Sequence, residues 1–125
     1  MNTLHVLKIA QLAVRSLLAE AAVYPKPGLV TPLDNGSCAD RTFQHFIDSA
    51  VALLPCFLNC ASIGMETLEL GPEDVFALLR VTGRQGEQEM LQATGGVGTH
   101  RGAIFLFGLL CAAAGRLAAQ ERELT

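Results

Sequence analysis

The sequence predicts an all-α fold, a bundle of about four to five helices with a long loop after the first. Three observations carry this. Apolar residues recur at the three-to-four spacing of a helix face along most of the chain. Alternation of apolar and polar residues over strand length is absent, and β-branched residues are sparse. Clusters of proline and glycine cut the chain into pieces of helix length. The 125 residues fit a single helical domain, 1–125, with one modest core.

Leu4, Leu7, Ala10, Val14, Leu17, Leu18 and Ala21 place the first helix near residues 3–23. Tyr24-Pro25-Lys26-Pro27-Gly28 ends it, because proline lacks an N–H and pushes the preceding residue out of the α region. From there to Ala39 the chain reads as a loop rich in Pro, Gly, Asn, Asp and Ser. Loops of that length in small domains are usually functional or disordered. A second helix begins near the N-cap Asp40, with Phe43, Phe46, Ile47, Ala50, Leu53, Leu54, Phe57 and Leu58 as its stripe. Pro55 should kink it and Gly64 should stop it. Gly71-Pro72-Glu73-Asp74 is a start signal for a third helix, expected to break near Thr82-Gly83 and resume from Gly86 to Ala93. Thr99 caps a fourth, in which Ala103 to Ala114 is apolar on all faces, as in a central buried helix. Arg116 to Thr125 turns polar.

Half the residues are hydrophobic, 17% are charged, and the mean hydropathy is +0.36. That is apolar for a small soluble domain, so a buried subunit contact (a homo-oligomer) or a piece of a larger core is expected. The net charge of −3 argues against broad binding to nucleic acid. Cys38, Cys56, Cys60 and Cys111 lack the spacing of a zinc or redox motif and read as reduced core thiols, which points to the cytoplasm. His5, Lys8, Gln11 and Arg15 interrupt the N-terminal apolar residues, unlike a signal peptide. The longest apolar run, Ala103 to Ala114, is too short to span a bilayer, so no membrane is expected.

Thr94-Gly95-Gly96-Val97-Gly98-Thr99-His100-Arg101-Gly102 is the most informative stretch. Cationic groups in a first turn are unfavourable unless an anion offsets them. Free N–H groups, glycines that admit a ligand to the backbone, and an arginine suggest a phosphate site built from Gly95, Gly96, Thr99, His100 and Arg101. The segment is not a P-loop, since it lacks the Gly-Lys-Ser/Thr ending and a preceding strand. A close helix crossing would explain the glycines but not His100 and Arg101.

Other candidates are weaker alone. Lys26 between two prolines is presented stiffly to a phosphate, or is a solvated lysine in a helix terminator. Asp34-Asn35-Gly36-Ser37 is a tight turn, or with Asp40 a source of oxygen ligands for Mg2+. Glu87 beside the Gly83-Arg84-Gln85-Gly86 bend faces a cavity or solvent, and Glu89 fits a solvated face better. Arg84 is a second phosphate contact or a surface residue.

Together these segments resemble the triphosphoribosyl-dephospho-coenzyme A synthase family. The resemblance spans nearly the whole chain. It rests on Glu20 with Pro25-Lys26-Pro27-Gly28-Leu29-Val30, Asn35-Gly36-Ser37 and Asp40, and Asp48-Ser49-Ala50. Gly83 with Glu87 and Met90, then Ala93-Thr94-Gly95-Gly96-Val97 and Thr99-His100-Arg101-Gly102-Ala103-Ile104-Phe105, complete it. Cys38, Arg41 and Gly98 depart from the family's usual histidine, methionine and asparagine. The resemblance implies an all-helical fold, of which this chain is the N-terminal part, and a transferase. It would join ATP to 3′-dephospho-CoA, release adenine, and so make the prosthetic-group precursor for the acyl carrier protein of malonate decarboxylase or citrate lyase. Breaking a ribose–adenine bond builds positive charge at the anomeric carbon, as in glycoside hydrolysis. On that basis Lys26, His100 and Arg101 would bind phosphate. Asp34, Asp40 and Glu87 would ligate Mg2+ or polarise the attacking hydroxyl.

Overall fold

A computed structural model of the chain describes residues 2–22, 43–96 and 101–124, with side-chain surroundings for 3–22, 43–96 and 102–121. The described residues form α1 (Asn2–Ala22), α2 (Phe43–Ala52), α3 (Leu54–Glu66), α4 (Pro72–Ala93) and α5 (Arg101–Leu124), with no strand among them. The all-α expectation is met. α2 and α3 nearly continue one another, so the five segments make four rods. The loop expected before Ala39 and the cap at Asp40 lie outside the described residues.

Each helix follows from its sequence, with some shifts. In α1 the fully buried residues are Val6, Ala10, Ala13, Leu17 and Ala21. The core stripe is therefore rotated from the expected one, and Leu4 is exposed. The break between α2 and α3 falls at Leu53, two residues before Pro55, which sits in the first turn of α3 where its missing N–H costs nothing. Leu53 N–H still donates to Ser49 O at 3.1 Å, and Phe57 N–H to Leu53 O at 3.0 Å, which holds the two segments together. Gly71 and Pro72 open α4, with Glu73 and Asp74 at the positive end of its dipole.

Two expectations are corrected. Gly64 does not stop α3, which runs to Glu66, and Gly83 does not break α4. Both glycines are buried between helices. At Gly64 a Cβ would strike the carbonyl of Ala112, and at Gly115 one would strike that of Ala61. The α3–α5 contact is thus backbone against backbone, through Ala61, Gly64, Ala112 and Gly115. Cys56 fills the notch left by Gly86 of α4, where a Cβ would lie 2.6 Å from its sulfur. The sequence carried a helix signal through these residues, and glycine there serves proximity rather than termination.

The core is centred on Leu53, Phe57, Met90 and Ile104, all fully buried, each contributing about 1.5–3 kcal/mol. Phe57 meets Phe107 with ring centres 6.2 Å apart, a tilted aromatic pair. A third correction concerns α5. One face, with Ile104, Gly108, Cys111, Ala112, Gly115 and Ala119, is buried. The other, with Phe105, Leu106, Leu109, Leu110 and Leu117, is exposed, so α5 is not enclosed on all sides by this bundle. By length and composition alone, Phe43–Glu66 and Gly102–Glu121 could each cross a membrane, a property that core helices of soluble proteins share. The apolar run Ala103 to Ala114 is short, but the helix carrying it is longer.

Candidate functional site

The glycine-rich turn begins as the end of α4. Thr94 is buried, its hydroxyl donates to Met90 O at 3.0 Å, and its N–H donates to the same carbonyl at 3.1 Å. Gly95 and Gly96 then take φ of +66° and +96°, the only positive values among the described residues. Gly96 N–H donates to Leu91 O at 2.7 Å. This six-to-one bond, with a left-handed residue just after the cap, is a Schellman closure. It fixes two glycines that sequence reasoning assigned to phosphate. Both are exposed, and a Cβ on either would meet nothing within 4 Å. The backbone there is open to a ligand.

Five residues further on, Arg101 begins α5 with no acidic residue in its first turn. The positive end of the α5 dipole is therefore not offset from within its own helix. Glu87 lies two turns before the end of α4, half-buried, beside the Gly86 notch that receives Leu53 and Cys56. The structure thus places Glu87, Gly95 and Gly96 on one helix and its cap, with Arg101 opening the next. Lys26, Asp34, Asp40, Thr99 and His100 lie outside the described residues, as does the side chain of Arg101. Arg84 is exposed, and Glu89, half-buried like Glu87, accepts from Gln85 Nε2 at 3.3 Å.

Sequence reasoning missed the polar interior of this end of the bundle. Ser49 is fully buried in α2 and Thr94 nearly so. The one available signal was their place inside the quoted Asp48-Ser49-Ala50 and Ala93-Thr94-Gly95 stretches. It also missed Arg116, whose guanidinium donates to Thr67 O at 3.4 Å and Leu68 O at 3.2 Å, where the C-terminus of α3 needs a cation.

Cys56, Cys60 and Cys111 are buried and free, as expected. The hydrogen bond with Cys60, then burial, pushes the Cys56 thiol far up. Burial, then the Cys56 charge, pushes Cys111 up to about 12. Both stay protonated at neutral pH, which removes them as nucleophiles. No group of three or more His, Cys, Asp or Glu among the described residues could hold a metal ion. An apolar cavity of about 60 Å³ between α3, α4 and α5 is far below the roughly 300–1,000 Å³ of typical ligand pockets. A second apolar space of about 210 Å³ is an open groove between α1 and α5. Neither suits a phosphate chain.

Comparison with known proteins places the chain in a family. Residues 7–125 match the family described as ATP:dephospho-CoA triphosphoribosyl transferase (CitG). Proteins named 2-(5″-triphosphoribosyl)-3′-dephosphocoenzyme-A synthase are similar. That of Haemophilus ducreyi is 46% identical over 87% of this chain and 34% of its own length. That of Escherichia fergusonii is 46% identical over 93% of this chain and 38% of its own. A probable synthase of Streptococcus equi subsp. zooepidemicus is 44% identical over 93% of this chain and 40% of its own. No solved structure matches the chain. The chain thus spans between about a third and two fifths of these relatives. The matched stretch takes in the Pro25–Val30 segment, Asp40 and the Thr94–Gly102 turn, and on it the chain belongs to the ATP:dephospho-CoA triphosphoribosyl transferase family.

Proposed function

We propose that the chain carries nucleotide-handling residues of a transferase that joins ATP to 3′-dephospho-CoA. In that reaction the 2′-hydroxyl of dephospho-CoA attacks the anomeric carbon of the ATP ribose. The bond to adenine breaks, and adenine leaves with the proton the hydroxyl gives up. The product is 2′-(5″-triphosphoribosyl)-3′-dephospho-CoA, destined for the acyl carrier protein of malonate decarboxylase or citrate lyase. The observation that carries this reading is the match over residues 7–125, with 46% identity to two proteins named as the synthase.

In this reading Lys26, Thr99, His100 and Arg101 bind the triphosphate beside the open backbone of Gly95, while Gly96, whose N–H is taken by Leu91 O, holds the turn in shape. The uncompensated N-terminus of α5 favours negative charge there. Asp34, Asp40 and Glu87 polarise the hydroxyl or, through Asp34 and Asp40, hold Mg2+. Magnesium commonly uses one or two carboxylates plus phosphate oxygens, which Asp34, Asp40 and the triphosphate would supply. The reduced thiols fit a cytoplasmic protein.

The test is adenine release from ATP with Mg2+ and dephospho-CoA present. A second reading, a nucleotide-binding module without catalysis, is favoured by the share of the relatives the chain spans. Calorimetric titration with ATP and Mg2+ separates the two: heat without adenine release selects the module. Arg101→Ala should weaken ATP binding, and unchanged affinity would remove Arg101 from the site.

A further inference from the structure

α5 has two apolar faces, and the bundle uses one. Phe105, Leu106, Leu109, Leu110 and Leu117 are between 42% and 65% exposed. Leu106, Leu110, Ala113 and Leu117 follow a four-three-four spacing, the seam along which one helix packs on another. All four are exposed. The open groove between α1 and α5 adjoins this seam through Leu110, with Ala13 and Cys111 in its wall and exposed Leu12 at its edge. Single exposed leucines need no explanation, but a contiguous face of this kind marks an interaction surface.

We propose that this face seats a helix with an apolar seam supplied by the part of the family fold outside the matched stretch. The length of the relatives supports this occupant. The matched stretch makes up 34%, 38% and 40% of three of them, so most of each relative's length lies outside it. A strip one seam wide, backed by the tight α3–α5 contact, fits a helix. The inference rests on family membership and is independent of the proposed reaction.

The test puts this chain in place of the matched stretch of the Haemophilus ducreyi relative and compares this chimera with the chain alone. Leu106→Cys is labelled with a maleimide in both, against the parent as background, with Val81→Cys on exposed α4 as reference. Leu106→Cys should react at least about tenfold more slowly in the chimera, as a thiol reached only by local opening does. Val81→Cys should react alike in both. Equal rates at Leu106→Cys overturn the proposal. So does a dimer of the chain alone that already protects this thiol, which assigns the face to a second copy. Protection by phosphatidylcholine–phosphatidylglycerol vesicles assigns it to a membrane and overturns it equally. If the chimera misfolds, the remainder is co-expressed as a separate tagged chain. It should then capture the wild-type protein but not Leu106→Glu/Leu110→Glu, and equal capture of both, or of neither, overturns the proposal.

Discussion

Replacing Gly64 by alanine puts a methyl group where α3 and α5 meet backbone to backbone. In a helix interior the change alone should stabilise by about 1 kcal/mol, because alanine is the better helix former. At Gly64 the new Cβ would lie against the Ala112 carbonyl, its carbon and its Cα, none of which can rotate away. The helices must separate, and overpacking of this kind costs typically 1–3 kcal/mol, occasionally more. Set against the propensity gain this leaves a net loss of up to about 2 kcal/mol, and separation also loosens the matching contact of Gly115 on Ala61. Gly83 is the control. It is buried in the middle of α4, yet a Cβ there would be 3.6 Å from the Phe105 ring and 3.9 Å from Ile104, ordinary contact distances. Gly83→Ala should therefore stabilise by up to about 1 kcal/mol. Urea unfolding followed by helical circular dichroism reads both. If Gly64→Ala stabilises as Gly83→Ala does, the α3–α5 contact is not as close as described and the reasoning fails.

Arg116→Ala should lose about 0.5–1.5 kcal/mol, because two carbonyls beyond α3 lose their donor, and Arg116→Lys should recover only part of it; equal unfolding midpoints for the wild type and Arg116→Ala would show those contacts to be idle. The raised thiols predict a pH dependence. Cys111 holds its proton in the folded state up to about 12, while the unfolded thiol loses it from about 9.0, and Cys56 is shifted in the same direction. Stability is fully present below pH 9 and falls as pH rises through that window, by at most about 1.4 kcal/mol per pH unit per thiol. The slope should shrink in Cys111→Ala, and a slope unchanged there would exonerate this thiol.

The periodicity of the chain revealed the helices because the bundle buries one stripe of each, and a stripe is a local pattern. Pro72 with Glu73 and Asp74 marked the start of α4 for the same reason: capping is settled within a turn. What stayed illegible was set by partners distant in sequence. Gly64 and Gly83 look alike on the page, as breaks in a helical pattern, and only the presence of α5 makes Gly64 a close-approach site while leaving ordinary room at Gly83. Arg116 reads as the start of a polar tail until Thr67 and Leu68 are beside it. The rotation of the α1 stripe likewise depended on which neighbours were present, since Leu4 and Val6 are equally apolar. At the candidate site, composition could place cationic residues at a helix N-terminus. It could not tell that the two glycines before them close the previous helix.

The observed and the proposed role of Gly95 can be separated. As the left-handed residue of the α4 cap it needs positive φ, at +66°. Alanine there costs roughly 1–2 kcal/mol, whereas asparagine tolerates the conformation and should restore most of the loss. As part of an anion site it needs something else, an unobstructed backbone, and the open space around its missing Cβ provides that. Asparagine does not restore this, because its side chain occupies the approach. The closure matters to the site in a second way. α4 ends in carbonyls carrying partial negative charge a few residues before α5 opens, and the Thr94 and Gly96 donors satisfy those of Met90 and Leu91. A phosphate at the start of α5 then meets fewer bare carbonyls. Gly95→Asn should therefore unfold near the wild-type midpoint yet bind ATP with Mg2+ more weakly in calorimetric titration. Should it bind as tightly as wild type, Gly95 serves the helix end alone, and the phosphate site begins further along the chain.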